Sequence, residues 1–141
     1  MSDFTPTPYV LDTGVLIEIA RGDSDLIGFM QHYDQTGQPL VVPSLAVTGA
    51  LLDTRSEDAE ALMVGLSAFE VVEVAPLGGV EQASTLADVI TRTGLSPWDA
   101  HVAAIAGVAV CPILTLDQRR WAEASDALDG QLFFIEIAEP E

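Results

Sequence analysis

The sequence predicts an α/β fold: three α/β/α layers around a central, mostly parallel sheet of four to five strands. Three observations carry that expectation. Short apolar runs alternate with longer segments of helical periodicity, the pattern of parallel strands joined by crossover helices. The apolar runs lack polar alternation, as expected for strands buried on both faces. The 141 residues match one domain, 1–141, long enough to bury its own core.

The elements follow in order. Residues 1–7 and the tail after Glu136 read as frayed ends. Tyr9 to Leu11 is a short buried strand. Gly14 to Ala20 is a helix stopped by Arg21-Gly22. Asp23 or Ser24 caps a second helix carrying Leu26, Ile27, Phe29 and Met30, which ends near Gly37. Pro39 to Val42 is the second strand. Ser44 then caps a helix whose apolar residues are Leu45, Val47, Leu51 and Leu52. Ser56, followed by Glu57, Asp58 and Glu60, opens a helix to about Phe69, its acids complementing the helix dipole. Val71 to Val74 is the third strand. Gly79 to Thr93 is helical, with Val80, Ala83, Leu86, Ala87 and Ile90 on one face and Gly94 as its C-cap. Ser96-Pro97 opens the next helix, with proline at the first helical position. Pro112 to Leu114 is the fourth strand, Asp117 to Ser125 a short helix, and Leu132 to Ile135 the last strand.

Composition narrows the function classes. The net charge is −17, there is no lysine, and the five cations are Arg21, Arg55, Arg92, Arg119 and Arg120. Nucleic-acid binders usually carry a basic footprint, so non-specific RNA binding is disfavoured. The single Cys111 excludes an internal disulfide and fits a reducing, cytoplasmic setting. The N-terminus has no signal-peptide pattern, and Gly107 and Pro112 break the longest apolar stretch, so no membrane span is expected.

Aspartates stand where strand ends and helix starts form ligand crevices in open α/β sheets. Asp12 closes the first apolar run. Asp99 opens the helix after Pro97, and Asp117 follows the fourth strand. Gathered carboxylates stay ionised together mainly when a cation such as Mg²⁺ or Mn²⁺ lies among them. Each has a plainer reading as a helix cap or a dipole partner. His101 is two positions from Asp99 on its helix, so it faces elsewhere. Trp98 and Trp121 read as packing residues.

Three segments together resemble the PIN-domain family, and within it the VapC-type toxins of toxin–antitoxin pairs. They are Val10-Leu11-Asp12-Thr13-Gly14-Val15-Leu16-Ile17, Ser96-Pro97-Trp98-Asp99-Ala100-His101-Val102-Ala103-Ala104, and Leu114-Thr115-Leu116-Asp117-Gln118-Arg119-Arg120-Trp121. The resemblance implies a divalent-metal-dependent endoribonuclease that hydrolyses phosphodiesters with a metal-activated water. It implies Asp12, Asp99 and Asp117 as catalytic and Mg²⁺- or Mn²⁺-binding residues. Thr13, Thr115 and Asp53 are auxiliary candidates, and Arg119 and Arg120 candidate contacts for RNA phosphates. A small antitoxin protein, often inserting an arginine into the pocket, and a homodimer are the implied partners.

The chain departs from the family at one acid. The glutamate usual on the helix after the second strand aligns with Ala50, and Asp53 lies one turn later. That departure supports an alternative reading: a weak or inactive PIN-like domain that binds protein or metal. Other acid chemistries fit less well. Asp12-Thr13-Gly14 opens a helix, unlike the β-rich setting of aspartic proteases. Gly14 stands where haloacid-dehalogenase-like phosphatases need a second acid, and a receiver domain needs a lysine that this chain lacks.

Overall fold

Val10 and Leu11 are neighbours on one strand, so their side chains point to opposite faces of the sheet, and both are fully buried. Ile113 and Leu114 repeat the pattern on a second strand. Both sheet faces are therefore covered, which requires the three-layer architecture expected from the sequence. These features come from a computed structural model that describes residues 6–137. The frayed ends expected at 1–7 and after Glu136 fall largely outside the described residues.

The strands are β1 (Tyr9–Leu11), β2 (Leu40–Pro43), β3 (Val72–Ala75), β4 (Ile113–Thr115) and β5 (Phe134–Glu136). They form a single sheet in the order β3-β2-β1-β4-β5, and every pairing is parallel. The helices are α1 (Thr13–Ala20), α2 (Ser24–Thr36), α3 (Ser44–Thr54), α4 (Glu57–Ser67), α5 (Gly79–Thr93), α6 (Pro97–Ala109) and α7 (Ala122–Ala127), with a 3₁₀ turn at Gln118–Trp121. The chain leaves β1 toward β2 on one side and returns through β4 on the other. The gap between the carboxyl ends of β1 and β4 is thus the switch point where such sheets open a crevice.

Local chemistry sets most boundaries. Asp12 accepts a hydrogen bond from Val15 N–H and caps α1, Asp23 caps α2, and Ser56 caps α4. Gly37 and Gly94 end α2 and α5 in the left-handed conformation that glycine adopts without penalty. Pro97 lies in the first turn of α6 behind its cap, Ser96.

The sequence reading needs three corrections. Ser44 is the first residue of α3, not its cap; Pro43 holds the cap position and offers no side-chain bond. The buried face of α3 is Ala46, Gly49 and Ala50, whereas Leu52 is exposed. Small residues face inward there because α3 is pressed between α1 and α6. Trp98 of α6 lies so close that a Cβ on Gly49 would be 2.6 Å from its Cγ. Likewise α5 buries Leu86 and Val89, leaving Val80 exposed on its first turn.

Candidate functional site

Asp12 is the residue on which the site is built. It follows β1 directly, and only 2% of its surface is exposed. Val15 N–H donates to Oδ1 at 2.8 Å, and the Trp121 indole N–H donates to Oδ2 at 3.1 Å. Burial raises its carboxyl above the ordinary aspartate range. The Thr115 hydroxyl, these two N–H groups and the Arg120 charge each favour the ionised form, without cancelling the effect of burial. The carboxylate keeps acceptor capacity for a further partner.

Above Asp12 opens a cleft of about 210 Å³, whose walls include Asp117, Asp53, Glu18, Arg21 and Arg120. Asp117 comes two residues after β4 and caps the 3₁₀ turn. Its Oδ1 accepts from Arg119 N at 3.0 Å and Nε at 3.1 Å, and its Oδ2 from Nη2 at 3.5 Å. These bonds hold its carboxyl below the usual range. Thr115 is buried, and its Oγ1 accepts from Asp117 N at 3.3 Å, fixing the turn that carries the aspartate. Asp53 is exposed and pairs with Arg21 at 2.9 Å, as does Glu18.

Asp12 and Asp117 therefore share the cleft, as expected, but Asp99 is not among its walls. Asp99 is the half-buried third residue of α6, and its N–H donates to Ser96 Oγ at 3.3 Å. Among the described residues no group of three or more His, Cys, Asp or Glu side chains is close enough to hold a metal ion together. Asp117 and Asp53 are instead each paired with an arginine. Ala50, the position expected for the family's glutamate, is completely buried and is not among the cleft walls. Asp53 reaches the same cleft from α3 but is occupied by Arg21, so it is a poor replacement.

The donor set still suits a hard cation. Thr13 is buried beside Asp12, and its Oγ1 has no hydrogen-bond partner among the described residues. Mg²⁺ commonly takes one or two carboxylates, with waters and substrate phosphates completing its shell. The residues present fit one such loosely held ion rather than an all-protein cage.

Sequence reasoning undervalued several cleft residues. Trp121 packs, as expected, but also donates to Asp12. Gly14, Glu18 and Arg21 are spaced four and three apart on α1, so helical periodicity carried forward from Asp12 marks their shared face. His101 is a structural residue: it is buried, and its Nδ1 accepts from Leu45 N–H at 3.3 Å. Burial lowers its pKa.

With this geometry in hand, comparison with known proteins is direct. The family model described as "PIN domain" matches residues 9–126. The chain belongs to the PIN domain family. Among solved structures it is similar to a chain in the crystal structure of VapBC2 from Rickettsia felis bound to a DNA fragment from their promoter. That match has a TM-score of 0.62 and 12% identity, covering 92% of this chain and 98% of the other. It is also similar to PAE2754 from Pyrobaculum aerophilum, with a TM-score of 0.54 and 18% identity, covering 91% of this chain and 83% of the other. No curated protein sequence matches. Among the described residues no helix is long and apolar enough to cross a membrane.

Proposed function

We propose that this protein is a divalent-metal-dependent endoribonuclease of the VapC toxin type, acting in the cytoplasm and restrained by a small antitoxin. One observation carries the reading: a buried carboxylate, Asp12, forms the floor of an acidic cleft at the β1/β4 switch point, with Asp117 on its wall. Membership of the PIN family supports it. The likeness to a chain of the VapBC2 structure supports the fold and is in keeping with an antitoxin partner; a homodimer is a further part of the proposal.

Asp12 and Asp117 would hold Mg²⁺ or Mn²⁺, with Asp99 the third ligand that the family resemblance implies and Thr13 an auxiliary candidate. The ion would supply Lewis-acid stabilisation of phosphate charge and a more acidic water. The remaining work falls to the chain. Val15 N–H and the Trp121 indole hold the Asp12 carboxylate in one orientation. Thr115 sets the turn that presents Asp117. Arg119 and Arg120 offer guanidinium donors to incoming phosphates, Arg119 by exchanging its bond to Asp117. Hydrolysis then joins the water oxygen to phosphorus, breaks a bridging P–O bond and returns a proton to the departing oxygen. The test is Mn²⁺-dependent cleavage of labelled structured RNA. Wild type is expected to cut and Asp12→Asn not to; equal activity in the two would end this reading.

The buried Ala50 favours a second reading, a domain that binds metal or protein through the same cleft without cutting RNA. In that case wild type is inert and Ala50→Glu gains metal-dependent cleavage.

A further inference from the structure

Arg120 stands apart from the other arginines. Arg21 is bound to Glu18 and Asp53, Arg92 to Asp129, and Arg119 to Asp117. Arg55 donates through Nε to its own helix at Leu52 O. The Arg120 guanidinium makes no hydrogen bond or ion pair among the described residues, yet it lines the cleft. Its position depends on Gly14. A Cβ built on Gly14 would be 3.0 Å from Arg120 Nη1 and 3.5 Å from Asp12 Oδ1. The missing side chain on α1 is therefore the space through which this arginine reaches the carboxylate floor.

The position where the family resemblance places a further acid holds Ala50, whose side chain can ligate no ion. A guanidinium is permanently charged and presents a planar fork that matches phosphate oxygens. Arginines and metal ions are interchangeable devices for stabilising charge on a reacting phosphoryl group. Resting on the nuclease reading above, we propose that Arg120 is the phosphate-contacting cation of this cleft, supplying the positive charge that a second metal ion would otherwise bring. Gly14 is the residue that admits it. Arg119 is exposed and bonded to Asp117, so it must give up that bond before it can meet a phosphate, whereas Arg120 needs no such exchange.

Two measurements test the inference. The first is affinity for a short labelled RNA in EDTA, which needs no metal. The second is Mn²⁺-dependent cleavage of the same RNA. Arg120→Ala is expected to weaken RNA binding several-fold and to cut about 10²-fold more slowly, the usual loss when one charge-stabilising donor goes. Its Mn²⁺ affinity is expected to stay or to rise, because a cation beside Asp12 has gone. Arg120→Lys should recover part of the binding. Gly14→Val should crowd Nη1 out and copy Arg120→Ala, and the double variant should be no worse than either single one. Gly14→Ala, a milder crowding on the same helix, serves if valine disturbs folding.

Arg120→Ala protein that binds RNA in EDTA like wild type overturns the inference, whatever the nuclease activity. Faster cutting by Arg120→Ala also overturns it, showing the arginine to be a plug. If RNA binding depends on Arg120 while wild type cuts nothing in Mn²⁺, the arginine's role stands and the nuclease reading falls.

Discussion

Replacing Trp121 with phenylalanine removes one hydrogen-bond donor from a buried charge while keeping an aromatic ring in place. Trp121 is 4% exposed, and its Nε1 is 3.1 Å from Asp12 Oδ2. Hydrogen bonds to charged groups contribute about 1.5–3 kcal/mol. Shrinking the indole to a phenyl adds a cavity term of roughly 1 kcal/mol. Trp121→Phe should therefore destabilise the protein by about 2.5–4 kcal/mol, measured by urea unfolding at neutral pH. The hydrogen bond can be separated from the cavity by a cycle with Asp12→Ala, which removes the acceptor. If the indole acts through the carboxylate, the two substitutions will be non-additive by about 1.5 kcal/mol or more. Additivity to within about 0.5 kcal/mol would show that Trp121 matters only as packing.

Other predictions follow from the same geometry. Gly49→Ala places a methyl 2.6 Å from Trp98 Cγ and should cost about 1–3 kcal/mol by overpacking, read as a lower melting temperature. Arg21→Ala removes two exposed ion pairs and should change stability by less than about 1 kcal/mol in the same melt. Burial raises the folded pKa of Asp12 above 3.8, so its ionisation opposes folding: this contribution weakens the protein as pH rises from 3.8 through the folded value. Saturating Mn²⁺ should reverse that loss, raising stability at neutral pH by about 2.7 kcal/mol at a hundred times Kd. Asp117 has the opposite sign. Its pairing with Arg119 stabilises above pH 3.8 and is lost as pH falls through the depressed folded value, so Arg119→Ala should raise the Asp117 titration midpoint seen by NMR.

The frame of this molecule was legible because it is written in local signals. Asp23, Ser56 and Ser96 cap the helices they were expected to cap, and the Gly37 and Gly94 ends are set by backbone freedom. The strands lie within about two residues of their apolar runs. Faces were harder. On α3 Leu45, Val47 and Leu51 only flank the core and Leu52 is exposed, because the tight approach of α1 and Trp98 selects Ala46, Gly49 and Ala50 for the buried face. That approach is a tertiary fact with no local trace. Within the site, Asp12 and Asp117 were readable from their places after strands. The pairing of Arg119 with Asp117, the reach of Arg120 over Gly14 and the indole bond from Trp121 were not, since periodicity places side chains on faces without naming their partners.

The account depends on a cation site at Asp12, and binding is its most direct test. With a net charge of −17 the surface will attract Mn²⁺ weakly at many places, so the informative comparison is between variants. Calorimetric titration of Mn²⁺ into wild type and Asp12→Asn is expected to give one saturable ion per chain in wild type and only the weak background in the variant. The same isotherm for both proteins would contradict the account, because the cleft at the β1/β4 switch point would then hold no metal of its own.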